Sequence, residues 1–208
     1  MSDAFHKLTL ETHKLKWEDD LPFSLDSNDI FFQDDALDEI EHVFLEPNLI
    51  HNRILEDTNL VIGEIGFGFG LNFLSTCKSW VKNSNNGLLT FFSIDHKVPT
   101  KTEIKRLFKK FEILSDLEDE FFESFDPIHN GINKFFFSNW NVELILYVGD
   151  VIDAIRSLNG GFIMDAWYLD GFDPKANPVM WSNDVLDFIK IHSHKNTTLS
   201  TFSAAGFI

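Results

Sequence analysis

Strand-length segments of largely apolar residues alternate along this chain with longer stretches in which apolar positions recur at helical spacing. Leu60–Ile65, Leu88–Ile94, Val142–Val148, Ala166–Leu169 and Thr197–Phe202 predict strands. The first four are nearly continuous apolar runs, as expected of strands covered on both faces. Ala36–Leu45 sets Leu37, Ile40, Val43 and Phe44 on one side, with Pro47 just beyond, and predicts a helix. Leu71–Val81 predicts a second helix, closed by the polar loop Asn83–Gly87. Thr100–Phe111, Asp116–Phe125, Asp150–Leu158 and Val179–His192 complete the helical segments. Phe135–Ser138 and Val142–Val148 flank Asn139-Trp140-Asn141 and predict a β-hairpin. The first 30 residues mix charged and aromatic residues and predict a small strand or hairpin leading into the domain.

Strands alternating with helices of this length imply an α/β fold with a doubly wound, mostly parallel sheet. The 208 residues suffice for one such domain, with 1–58 as an N-terminal extension and 59–208 as a Rossmann-like core. Sheets of this kind bind ligands beyond the carboxyl ends of their strands. There the chain has Glu64-Ile65-Gly66-Phe67-Gly68-Phe69-Gly70-Leu71-Asn72, a glycine-rich turn behind the first core strand. Asp95, Asp150 and Asp170 follow the later strands and would converge on the same cleft. Strand-end aspartates that merely cap helices are the plain alternative for each site alone.

Charge narrows the partners. With 33 acidic against 17 basic residues the formal net charge is −16, which disfavours nonspecific phosphate binding. Lys101, Lys105, Arg106, Lys109 and Lys110 form either a local basic patch or a solvated helix face. The single cysteine, Cys77, cannot form an internal disulfide and fits a reducing, cytoplasmic setting. It falls in a predicted helix, as a small core residue would. No apolar stretch approaches membrane-spanning length, and no metal site is expected.

A dinucleotide fingerprint needs Gly-x-Gly-x-x-Gly, and here the third glycine position is Leu71. The observed Gly-x-Gly-x-Gly, preceded by Glu64, resembles motif I of class I S-adenosylmethionine-dependent methyltransferases. That resemblance assigns Glu64, Gly66, Gly68, Gly70 and Asn72 to the cofactor turn, Asp95 to the ribose hydroxyls and Asp150 to the adenine amino group. The segment Asp170-Gly171-Phe172-Asp173-Pro174-Lys175-Ala176-Asn177-Pro178-Val179-Met180-Trp181 is more specific. It resembles the signature of the methyltransferase half of the bifunctional MnmC enzymes, which complete a modified uridine at the tRNA wobble position. Asp29–Phe32, Leu37–Leu45, Gly66–Phe73 and Thr201–Phe207 agree with that family in order and spacing, so the likeness runs from about Pro22 to the last residue.

The resemblance implies methyl transfer from S-adenosylmethionine to the amine of 5-aminomethyl-2-thiouridine in tRNA. It places Asp170 at the reaction centre as the proton acceptor, Phe172 and Pro174 in the pocket wall, and Asn177 against the substrate. Pro178 and Trp181 read equally as a helix start and a core residue. The chain departs from the family at Phe69, a bulky residue expected to narrow the cofactor site, and at Asp95 and Asp173. It is also expected to lack the C-terminal strand pair of the seven-stranded sheet, leaving an apolar edge open. An FAD-dependent oxidoreductase partner would be supplied separately. Rival readings are a methyltransferase of this fold acting on another amine, an NAD-dependent oxidoreductase, or a non-catalytic fragment.

Overall fold

The computed structural model describes residues 10–56, 59–83, 87–125, 127–158, 161–171 and 178–202. A small antiparallel sheet comes first, from β1 (Leu15–Glu18), β2 (Leu21–Ser24) and β3 (Asp29–Ile30). Asp19 and Asp20, at φ 48° and 61°, form the two-residue turn between β1 and β2. Paired positive φ angles are what a tight right-twisted hairpin requires. Helix α1 (Ala36–Ile40) runs on as a π-helical turn over Glu41–Leu45, and α2 (Ile50–Glu56) follows.

The core is a six-stranded sheet made by β4 (Asn59–Ile65), β5 (Leu88–Asp95), β6 (Gly131–Phe137), β7 (Val142–Val148), β8 (Met164–Leu169) and β9 (Ser193–Thr201). Their order is β6-β7-β5-β4-β8-β9, and every pairing is parallel except the β6–β7 hairpin. The helices between them are α3 (Leu71–Asn83), α4 (Lys101–Lys110), α5 (Glu118–Ser124), α6 (Val151–Ser157) and α7 (Asn183–Ile191). The α/β reading from sequence is therefore correct. The hairpin strand β6 starts four residues earlier than its apolar pattern suggested, at Gly131 rather than Phe135.

Strand alternation sorts the core into two layers. Leu60, Ile62, Phe91, Leu144 and Tyr168 face one side, under α3 and the N-terminal helices. Ile65, Phe92, Ile94, Ile145 and Trp167 face the other, under α6 and α7. Gly63 on β4 lies against the Trp167 indole, where a Cβ would come within 2.4 Å of the ring. This glycine serves packing rather than a turn. The outer strand β9 reads Ser-His-Lys-Asn-Thr-Thr-Leu-Ser-Thr, so the edge is largely polar where an apolar one was expected.

The basic residues of α4 fasten the N-terminal sheet to the core. Arg106 pairs with Asp20 at 2.9 Å and lies 3.8 Å over the Trp17 ring; Lys110 pairs with Asp34. Lys97, before α4, pairs with Asp26 at 3.1 Å. The solvated-face alternative describes Lys101, Lys105 and Lys109, which are exposed, whereas Arg106 and Lys110 are spent on acids of the same chain. Exposed pairs of this kind contribute little each, ~0–1 kcal/mol, but they fix where the small sheet sits.

Candidate active site

The sheet changes winding direction between β4 and β8, and the glycine turn lies at that point. Backbone bonds knit the strand ends together: Gly66 N–H donates to the Ile94 carbonyl at 2.9 Å, and Asp170 N–H to the Ile65 carbonyl at 3.0 Å. Gly66 has φ 101°, and a Cβ there would lie 2.3 Å from the Asp170 carbonyl oxygen. Only glycine meets both conditions. Gly68 and Gly70, at φ 52° and 76°, complete the turn into α3.

Of the acids expected at the strand ends, Asp95 and Asp170 meet the glycine turn. The Gly68 N–H donates to Asp95 Oδ2 at 2.7 Å, so Asp95 holds the turn as well as facing the cleft. Asn72, on the first turn of α3, donates through Nδ2 to Asp170 Oδ2 at 2.8 Å and to Glu64 Oε1 at 3.0 Å. Ser93 Oγ donates to the other Glu64 oxygen at 2.7 Å. Glu64 is fully buried. Glu64 was expected to contact cofactor directly; in this structure both its oxygens are engaged and it has no exposed surface, so its link to the cleft runs through Asn72. Asp150 is exposed and caps α6, accepting from Ile152 and Asp153 N–H on Oδ1. Its helix-capping alternative is thus realised, and its Oδ2 makes no bond among the described residues. Phe172, Pro174 and Asn177, with Asp173, lie outside the described residues.

Phe69 does not narrow the cleft. Its ring is buried against Trp17, Phe31 and Phe32, with centroids 5.8, 5.1 and 5.4 Å away, and it anchors the N-terminal sheet. Cys77 is buried, and burial pushes its thiol well above the ordinary value, as befits an inert core residue.

Burial dominates the electrostatics. It raises Glu64 well above the usual carboxylate range and raises Asp95, though His13 and backbone N–H groups partly oppose the latter shift. Asp170 is pushed up to about 6 by burial, against the Asn72 bond, with Glu39 and Asp95 adding repulsion. Among the described residues no lysine or arginine pairs with any of the three. Such a site favours cations and hydrogen-bond donors and repels a pyrophosphate, which argues against a dinucleotide. S-adenosylmethionine suits it, carrying a sulfonium, an ammonium and a ribose diol. Asn72 Oδ1, buried and without a hydrogen-bond partner among the described residues, is a waiting acceptor for such a donor.

Comparison with known proteins agrees. Residues 112–208 match the family described as S-adenosyl-L-methionine-dependent methyltransferase. The tRNA 5-methylaminomethyl-2-thiouridine biosynthesis bifunctional protein MnmC of Marinobacter nauticus is 34% identical over 95% of this chain. Its counterpart in Leptospira interrogans is 36% identical over 93%. The chain is a methyltransferase related along nearly its whole length to the MnmC proteins. It spans about a third of the length of these relatives, 32% and 30%. MNMC2 from Aquifex aeolicus shares the fold, with TM-score 0.68 and 20% identity over 93% of this chain and 61% of that one. Among the described residues no helix is long and apolar enough to cross a membrane.

Sequence reading missed two features of this site: Asn72 as the link between Glu64 and Asp170, and His13, whose imidazole feels the Asp95 charge. An Asn at the first turn of α3 offered a signal for the first. His13, 82 positions before Asp95, offered none.

Proposed function

We propose that this domain methylates the aminomethyl group of 5-aminomethyl-2-thiouridine at the tRNA wobble position, using S-adenosylmethionine, with Asp170 as proton acceptor. The observation that carries this reading is the Asp170 carboxyl, held by Asn72 at the carboxyl end of β8 against the glycine turn. When bound, the cofactor supplies an electrophilic methyl group on a sulfonium. Gly66, Gly68 and Gly70 would let the backbone approach it, Asp95 would take the ribose hydroxyls, and Asp150 Oδ2 would receive the adenine amine.

An alkylamine with a pKa near 10.4, the lysine value, is almost wholly protonated at neutral pH, and its lone pair must be released before attack. A carboxyl raised from 3.8 to about 6 accepts that proton at a cost about 3 kcal/mol smaller than an ordinary aspartate would. Glu64 and Asn72 fix the position of the Asp170 carboxyl, so that binding aligns amine and methyl group. Phe172, Pro174 and Asn177 are assigned to the substrate side. The tRNA is the proposed macromolecular partner. The second, FAD-dependent oxidoreductase activity is assigned to a separate partner or to the remaining length seen in the bifunctional relatives. A reducing cytoplasm is the proposed setting.

The test is methyl incorporation from labelled S-adenosylmethionine into tRNA carrying the 5-aminomethyl-2-thiouridine. Label in the wobble nucleoside supports the proposal. A folded, cofactor-binding protein that transfers none to this tRNA overturns it.

A further inference from the structure

The N-terminal segment brings one more polar group to the cofactor cleft. His13 is only 9% exposed. Its Nε2 lies 3.0 Å from the Lys97 carbonyl oxygen. A carbonyl can only accept, so the ring proton resides on Nε2 and Nδ1 is the bare acceptor. Burial, opposed by the Asp95 charge, lowers the imidazole below its ordinary value, which keeps the ring neutral at pH 7. Nδ1 is buried and has no hydrogen-bond partner among the described residues. Buried acceptors without donors are rare in folded proteins.

Its surroundings place this acceptor at the ribose end of the cleft. The ring stands edge-on to Phe31 with centroids 4.8 Å apart. Phe31 in turn closes on Gly68, where a Cβ would lie 3.4 Å from the phenyl ring. Gly68 N–H is bonded to Asp95, whose charge acts on His13. Asp95 already accepts two backbone N–H groups, from Gly68 at 2.7 Å and Lys97 at 3.3 Å. A vicinal diol brings two donors, and a second acceptor beside Asp95 matches that need.

We propose that His13 is a cofactor-binding residue whose Nδ1 accepts a hydrogen bond from a ribose hydroxyl of S-adenosylmethionine. The inference rests on the cofactor of the family, not on the tRNA substrate. A purely structural His13 would act through Nε2 and the Lys97 carbonyl, and two substitutions separate these roles. Glutamine carries its amide to the Nε2 position, whereas asparagine carries its amide to the Nδ1 position.

The experiment is calorimetric titration of wild type, His13→Gln and His13→Asn with S-adenosylhomocysteine and its 2′-deoxy and 3′-deoxy analogues, with unliganded melting curves alongside. His13→Gln is expected to melt like wild type and bind the parent ligand about five- to tenfold more weakly, the effect of one neutral hydrogen bond. One deoxy analogue should lose a similar factor on wild type and none on His13→Gln. His13→Asn should retain more affinity than His13→Gln. Equal affinity of wild type and His13→Gln for the parent ligand overturns the proposal, as does an undiminished deoxy effect in the variant. Nitrogen NMR of histidine-labelled wild type provides a readout that needs no variant. The His13 Nδ1 resonance should move upfield on adding S-adenosylhomocysteine, and an unmoved resonance in the bound protein counts against the proposal. Failure of methyl transfer to tRNA with these binding results intact would touch only the substrate reading.

Discussion

At the amino ends of the central strands Asp165 divides its oxygens between the Val61 N–H, at 2.8 Å, and His194 Nε2, at 3.1 Å. At the carboxyl ends Glu64, Asp95 and Asp170 share a cleft with no lysine or arginine paired to them among the described residues, and all three are raised by burial. The same residue types thus meet opposite treatment on one sheet. The amino-end carboxylate is satisfied from within the chain and stabilises the β8–β9 corner. The carboxyl-end group is met by neutral donors, from Asn72, Ser93 and the Gly68 and Lys97 N–H groups. Burial still disfavours its ionised form, so a cationic ligand would relieve it. Acids whose ionised form is disfavoured by burial and whose donors are all neutral mark a candidate working site, whereas Asp165, shared between a strand N–H and a histidine, marks a joint.

Asp170→Asn should break this contrast most strongly. Methyl transfer is expected to fall by about 10²–10⁴-fold, the usual contribution of a positioned base. In wild type the rate should drop as pH falls through about 6, where the acceptor becomes protonated. Stability should move the other way. The folded pKa lies above the unfolded one, so ionising Asp170 opposes folding at high pH, and that penalty vanishes below the unfolded value near 3.8. The asparagine variant should therefore melt higher at pH 7.5, gaining at most about 3 kcal/mol, with the gap closing by pH 3.5. A lower melting temperature at pH 7.5 would show that the carboxylate is satisfied in the apo chain after all.

Gly66→Ala tests the backbone of the same end. The added Cβ meets the Asp170 carbonyl oxygen at 2.3 Å with φ at 101°, and denaturant titration should show a loss of about 2–4 kcal/mol. At the opposite end, Asp165→Ala should cost about 1–3 kcal/mol, because the Val61 N–H loses its acceptor, while S-adenosylhomocysteine affinity stays at the wild-type value. Altered affinity would show that the two ends are not independent. The smallest effect is expected of Arg106→Gln, about 1 kcal/mol or less, since its pair with Asp20 is exposed and its stacking on Trp17 is partly retained. A larger loss would mean that the N-terminal sheet depends on this one contact.

Much of the site was legible because strand periodicity and glycine spacing are local. Leu60–Ile65 followed by Gly66–Gly70 predicts a strand and a tight turn without reference to any other residue. Asp95 and Asp170 could be placed because an acid directly after a buried strand has one end of the sheet to occupy. Glu64 was harder: adjacent to the turn in sequence, it reads as a ligand contact, yet strand alternation turns it under α3, where Ser93 and Asn72 meet it. Phe69 misled for a similar reason, since the direction of a turn side chain depends on the aromatic residues that await it. The basic run on α4 had no readable role because its acids lie 76 and 86 residues away.

The sequence by itself determined the α/β alternation, the glycine turn, the strand-end acids and, through the Asp170 segment, the family. These depend on periodicities of two and 3.6 residues and on steric rules that act over a few positions. Tertiary structure alone decided which donors meet those acids, what Gly63 and Phe69 pack against, and that His13 comes within reach of the Asp95 charge. Burial and long-range pairing arise only when the layers close, and they change the electrostatic environment of groups whose identities were known from the start.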